Sequence, residues 1–261
     1  MVSINGTLFF RADSTDDYAY NYGLWKVDSV AVGAVRIKES CNPYELTDVD
    51  GTLFFACSDP AGELWKSNGS RLGTVLVKDF PGSTNTIGLT NVNGTLYFTA
   101  NTGATVGREL WKSDGTAAGT TMVKDINPGS GSTDFGMYPN YHNFVAVDDT
   151  LFFVADDGVN GRELWKSNGE PGNTVMIKNI NPGSGDAVPF SSQSTTSAPV
   201  LTMININGTV FFAADDGTHG QELWKSNGEP DGTKMVKNIH DGGTSKPSDF
   251  ANVNGTLFFV A

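Results

Sequence analysis

Two cysteines and three histidines in 261 residues leave little material for a disulfide framework or a metal cluster. Positive charge is scarce as well: 17 Lys and Arg stand against 29 Asp and Glu, a formal net charge of −12. Such a balance argues against nucleic acid or an anionic lipid surface as a partner. Ten of the basic residues also fall at fixed repeat positions, so no basic patch is left over: Lys26, Lys66, Lys112, Lys166 and Lys225, then Lys38, Lys78, Lys124, Lys178 and Lys237. Long apolar runs are missing. Stretches such as Leu151–Ala155 are far too short to span a bilayer, which argues against membrane insertion. The opening Met1-Val2-Ser3-Ile4-Asn5 has no basic start and no apolar run. It reads as lacking a secretory leader, as in a processed secreted protein or a section of a longer one. Nothing along the chain reads as a helix.

What is abundant is repetition. All five tryptophans sit in one short phrase: Gly23-Leu24-Trp25-Lys26, Glu63-Leu64-Trp65-Lys66, Glu109-Leu110-Trp111-Lys112, Glu163-Leu164-Trp165-Lys166 and Glu222-Leu223-Trp224-Lys225. Trp25, Trp65, Trp111, Trp165 and Trp224 are spaced by 40, 46, 54 and 59 residues, the signature of a repeat architecture. The third copy is the cleanest. A short extended run, Leu89–Val92, meets Asn93-Gly94, the dipeptide best suited to a type I′ hairpin turn because both residues need positive φ. Thr95–Ala100, Arg108–Ser113 and Thr121–Ile126 supply three further β-prone runs, and Asn127-Pro128-Gly129 breaks the pattern.

Four antiparallel strands in about 40 to 45 residues make a propeller blade, with aromatics shared between neighbouring blades. The fold class expected is an all-β propeller forming a single repeat domain over 1–261. Its blades run over about 1–40, 44–80, 88–126, 143–180 and 201–239, and a half-blade occupies 248–261. Both ends therefore begin with the same two strands, as in a section of a longer propeller or array.

The phrase Glu109-Leu110-Trp111-Lys112-Ser113-Asp114-Gly115-Thr116, followed by Gly119-Thr120, resembles the ELWxxDGT repeat family of secreted bacterial propeller-type proteins. Asn68, Asn168 and Asn227 replace the family aspartate, and blade one keeps only Leu24, Trp25 and Asp28. The resemblance implies an extracellular or cell-surface module of a larger protein. It implies no activity and brings no catalytic residues.

Candidate sites follow from what repeat geometry does not demand. Tyr18, Tyr20 and Tyr22, interleaved with acids, and the insertion holding Tyr138, Tyr141 and His142 suit recognition of a protein or glycan, because tyrosine offers a wide rigid face with a polar tip. Asp156-Asp157-Gly158 and Asp215-Asp216-Gly217 offer hard oxygens on bent loops that suit Ca²⁺, although the same residues are ordinary turn formers. The five tryptophans fit inter-blade core better than a ring of sugar-stacking sites. The Asn-Gly-Thr phrases fit turns better than glycosylation acceptors. If Asp50-Gly51 is a tight turn, Cys57 lies opposite Tyr44, and Cys41 either curls back to bridge it or both thiols stay buried and free.

The histidines are scattered, with no metal-ligand spacing, and no nucleophile motif is complete. The expectation is a non-catalytic structural or adhesion module at the cell surface. Its partners would be proteins or glycans, further copies, or neighbouring domains. A carbohydrate-binding, lectin-like propeller is the alternative, and a propeller-fold glycoside hydrolase, needing two convergent carboxylates, the weaker one.

Overall fold

The computed structural model describes residues 1–13, 22–27, 33–58, 61–80, 86–103, 106–133, 135, 141–188, 200–201 and 203–261. The first sheet holds β1 (Val2–Ile4), β2 (Thr7–Asp13), β3 (Tyr22–Val27) and β4 (Val35–Lys38). The second holds β5 (Pro43–Val49), β6 (Thr52–Ser58), β7 (Ala61–Ser67) and β8 (Thr74–Asp79). The third holds β9 (Ile87–Val92), β10 (Thr95–Asn101), β11 (Arg108–Ser113) and β12 (Thr121–Lys124). After the short β13 (Tyr141–His142) comes the fourth, with β14 (Phe144–Val147), β15 (Thr150–Asp156), β16 (Arg162–Ser167) and β17 (Val175–Lys178). Then β18 (Val200–Leu201), parallel to β13, precedes the fifth: β19 (Met203–Ile206), β20 (Thr209–Asp215), β21 (Gln221–Ser226) and β22 (Lys234–Lys237). A two-stranded sheet of β23 (Ser248–Val253) and β24 (Thr256–Val260) follows.

Every four-stranded sheet is an up-and-down meander with its strands in chain order. These are five complete propeller blades and half of a sixth. The only helical turn among the described residues is a single 3₁₀ turn at Pro171–Asn173. The chain divides into two compact units, Met1–Met122 and Val123–Ala261.

Local chemistry repeats with the sheets. The first hairpins turn on Asn5, Asp50, Asn93, Asn207 and Asn254, each with φ between 45° and 51° and followed by a glycine that also has positive φ. That is the type I′ geometry the dipeptides demand. At the far side of sheets one, two, four and five the register slips between the motif leucine and tryptophan, so Leu164 faces Lys178 while Trp165 faces Met176. The extra residue of this bulge, Ile37, Val77 or Ile177, is buried in sheets one, two and four, whereas its sheet-five counterpart Val236 is exposed.

Core forms between successive sheets. In the first unit Val77 and Phe80 of sheet two and its connection pack with Leu96, Phe98 and Trp111 of sheet three. The Phe80 ring meets Trp111 edge-on at 5.0 Å. In the second unit Ile177 and Ile180 pack with Phe212 and Trp224 of sheet five. Each sheet is therefore apolar on both faces, which is why strict alternation is blurred in the sequence.

Cys41 and Cys57 are joined in a disulfide with Cα atoms 5.3 Å apart. The sequence register is off by one here: Cys57 faces Pro43, and Tyr44 faces Ala56. A bulge between Tyr44 and Thr47, with Glu45 at φ 54°, inserts the extra residue and brings Cys41 within reach. Closing a loop of this length stabilises the fold by about 3 kcal/mol in chain-entropy terms.

Candidate functional site

The recurring polar residues of the motif are taken up by architecture. The serine after Trp-Lys bonds the threonine seven residues on: Ser67 to Thr74 at 2.8 Å, Ser113 to Thr120 at 2.7 Å, Ser167 to Thr174 at 2.8 Å and Ser226 to Thr233 at 2.7 Å. The same serine oxygens accept the N–H of the turn glycines Gly69, Gly115, Gly169 and Gly228, each at 3.0 Å. Asp114 accepts both the N–H and the hydroxyl of Thr116, and the hydroxyl bond leads in holding its carboxyl below the usual range. Asn68 does the same for Ser70 without a charge.

The lysine of the fourth strand reaches forward to the following sheet. Lys78 donates to the Thr120 carbonyl at 3.1 Å, Lys124 to Thr174 at 2.8 Å and Lys178 to Thr233 at 2.9 Å. On the way, Lys78 crosses the ring of Trp111 at 5.5 Å and Lys124 that of Trp165 at 5.8 Å, while Lys38, which donates to the Glu39 carbonyl, lies over Trp65 at 4.4 Å. Trp111, Trp165 and Trp224 are buried, whereas Trp25 and Trp65 are only partly so.

The motif glutamate faces the connection that leaves its own sheet. Glu163 accepts N–H bonds from Ile180 and Asn181, both at 3.0 Å. Glu222 accepts from Ile239 at 2.9 Å and His240 at 3.4 Å, and from the Ser245 hydroxyl at 2.7 Å. Burial lifts the Glu163 carboxyl to about 7, with Asp186 and Asp157 adding to the rise. Burial also opposes charge on Glu222, but the Ser245, Ile239 and His240 bonds prevail and lower it. In sheet two Glu63 instead takes the Trp65 indole N–H at 2.9 Å. Trp25 has Gly23 at the glutamate position, and its indole N–H goes to the Ala12 carbonyl at 3.2 Å.

In a meander, second-to-third-strand loops and inter-sheet connections share one end of the sheets. The acidic loops lie there in the second unit. A Cβ on Gly158 would touch the Asn127 side chain at 2.7 Å, and one on Gly161 would strike the Gly185 carbonyl at 2.6 Å. The loop is thus wedged between two successive connections, and only glycine fits at both contacts. The next loop repeats this, with Gly217 against Asn181 and Gly220 against Gly243. Arg162 clamps the connection through Asp186 at 2.6 Å and the Val188 carbonyl at 3.2 Å.

Asp156, Asp157, Asp215 and Asp216 hold their own turns. Asp156 accepts from Gly158, and Asp215 from Gly217, both at 2.8 Å. Asp157 takes the N–H groups of Val159 and Asn160 and the Asn160 amide. Asp216 takes those of Thr218 and His219 and the His219 ring at 2.8 Å. Burial opposes charge on both Asp157 and Asp216, and these bonds still hold them below the usual range. No group of three His, Cys, Asp or Glu positioned for a metal occurs among the described residues.

Tyr22 begins β3 half-buried, with the Arg11 guanidinium 3.9 Å above its ring. Tyr18, Tyr20 and Tyr138 lie outside the described residues, and for Tyr141 and His142 only the strand β13 is described. Sequence reading missed Tyr44, whose hydroxyl accepts the Thr86 N–H at 3.1 Å and whose pKa burial pushes up to about 12. Arg108, lowered by the same burial, lies in its field. Its signal was departure from the repeat: tyrosine stands where the sister strand β9, with the same bulge, begins with Ile87.

No family model matches the chain, and no curated protein does. Solved structures do. A puromycin hydrolase S511A mutant complexed with PGG aligns over 97% of this chain and 40% of its own, at 11% identity and TM-score 0.55. A Mycobacterium tuberculosis puromycin-hydrolyzing peptidase aligns over 92% and 39%, at 9% identity and TM-score 0.51. The β-propeller domain of the Trilobed protease from Pyrococcus furiosus aligns over 93% and 72%, at 11% identity and TM-score 0.47. The chain thus spans about two fifths of the hydrolase and peptidase chains it matches. At these identities the likeness concerns fold alone.

Proposed function

We propose that the chain is a non-catalytic β-propeller module of an extracellular or cell-surface protein, belonging to the ELWxxDGT repeat type and acting as a scaffold or adhesion surface. The observation that carries this reading is the use of the repeated motif itself. Its serine, threonine, glutamate and lysine side chains are bonded to turns, connections and neighbouring sheets. Recognition then falls to the loops that do not repeat, with Tyr22 at the edge of one of them. The Cys41–Cys57 disulfide supports an oxidising compartment.

The test is a glycan array with and without chelator, run beside a hydrolase screen on peptide and glycoside substrates. The expected result is no turnover and no glycan signal, while the immobilised chain retains surface proteins of its source. Chelator-sensitive glycan binding would favour the lectin-like alternative and a Ca²⁺ role for Asp156, Asp157, Asp215 and Asp216. Turnover abolished by replacing a buried carboxylate would overturn the reading.

A further inference from the structure

We propose that sheets four and five each bind one structural water, held between the motif tryptophan, the motif glutamate and the asparagine that follows the fourth strand. Three groups of fixed chemistry define each site, and sheet two shows the same positions arranged so that none is needed.

The first group is a buried donor. Trp165 and Trp224 are each 6% exposed, and their indole N–H groups have no hydrogen-bond partner among the described residues. The second group is a buried acceptor. The Oδ1 atoms of Asn179 and Asn238 are enclosed and equally without a partner there. Their amide nitrogens are committed elsewhere: Asn179 Nδ2 donates to Asn160 Oδ1 at 3.0 Å, and Asn238 Nδ2 to Asp241 Oδ1 at 3.3 Å. Those bonds set the orientation of each amide and leave the oxygen over. Enclosed polar atoms of this kind are bonded to protein or to ordered water in folded proteins.

Strand register puts donor and acceptor on one face. Leu164 pairs with Lys178 and Leu223 with Lys237, so Asn179 and Asn238 stand across from Glu163 and Glu222. Sheet two has that pairing directly, Glu63 with Asp79. The tryptophan two residues beyond each glutamate shares its face. The glutamate is the third group, and its direction decides the outcome. In sheet two Glu63 takes the Trp65 indole N–H itself at 2.9 Å, and the facing Asp79 is exposed. In sheets four and five the carboxylate turns to the N–H groups of Ile180 and Asn181, or of Ile239 and His240. A water restores the link that this turn breaks. It accepts the indole N–H, then donates one proton to the asparagine oxygen and one to the carboxylate, which keeps lone pairs to spare. Three bonds are the usual complement of a buried water. A metal ion does not suit the site, because the indole offers a proton and no lone pair.

The test uses the full chain labelled with nitrogen-15, its indole N–H signals assigned through Trp65→Phe, Trp165→Phe and Trp224→Phe. Nuclear Overhauser transfer from water should reach the Trp165 and Trp224 indole protons with the sign of a bound, long-lived water. Trp65, bonded to its own glutamate, should show none. Asn179→Leu should abolish the transfer at Trp165 and leave that at Trp224, and Asn238→Leu should do the reverse. Asn179→Asp, which keeps the oxygen, should retain it. Unmoved signals from the other indoles report an intact fold, and if Asn179→Leu unfolds the chain, the Asn238 variants decide. Absence of transfer at both indoles, equal transfer at Trp65, or transfer that survives loss of the facing asparagine would overturn the proposal.

Discussion

Sheets four and five carry the same phrase in the same register, yet their surroundings differ at the two places that matter most. Sheet four is covered on both faces, and Phe152 and Val154 are buried. In sheet five Phe211 is only half-buried and Val236 is open to solvent. Their glutamates diverge as well. Glu163 meets two backbone N–H groups and the field of Asp186, while Glu222 gains a hydroxyl from Ser245. In these two sheets the motif points the glutamate at the same two backbone N–H positions. The variable connection after it sets the charge state and the energy.

The largest test of this contrast is truncation of the equivalent phenylalanines. Phe152→Ala should cost about 3–4 kcal/mol and Phe211→Ala about 1–2 kcal/mol, read from urea midpoints, because only the first leaves an enclosed cavity. Equal costs would break the comparison.

Removing the carboxylates comes next. Glu222→Ala should cost about 3 kcal/mol and Glu163→Ala about 1–2 kcal/mol, since Glu222 holds one more donor and its charge is the better stabilised. Chemical denaturation at pH 7 decides the order.

Their pH dependences should have opposite sign. Glu163 has a folded value near 7, above the ordinary 4.5. Its contribution is therefore full below about 4.5 and is lost as pH rises towards 7. Glu222 is depressed, so its contribution is present above about 4.5 and lost as pH falls through its lowered value. Glu163→Gln should flatten the stability profile between pH 5 and 7, and Glu222→Gln should flatten it on the acid side. Midpoints measured at pH 4, 6 and 8 separate the two.

The smallest effect concerns the ion pair between Lys166 of sheet four and Glu229 of sheet five, 2.8 Å apart and partly exposed. Lys166→Ala should cost less than about 1 kcal/mol and nothing measurable in 0.5 M salt.

These differences mark the boundary of what the sequence displays. Strands, hairpin turns and sheet boundaries were legible because Asn93-Gly94 and the tryptophan phrase act within a few residues. The role of Glu163 was not, because its donors Ile180 and Asn181 lie 17 and 18 residues on, across a whole strand and a turn. The Cys41–Cys57 bridge is not legible in the sequence because a one-residue bulge at Glu45 decides it, and nothing in the composition of β5 announces that slip. The acidic loops carry two readings in the sequence because carboxylates that hold their own turns use the residue types that hold a cation.

The forward-reaching lysines have a consequence for how such chains change over time. Lys78, Lys124 and Lys178 each contact a threonine carbonyl belonging to the unit that follows, never the one before. These three junctions are therefore built from the same parts in the same direction, whereas at the first one Lys38 donates to the Glu39 carbonyl. Duplicating or deleting one whole unit would recreate an identical seam, so copy number can drift by recombination while each surviving boundary keeps its chemistry.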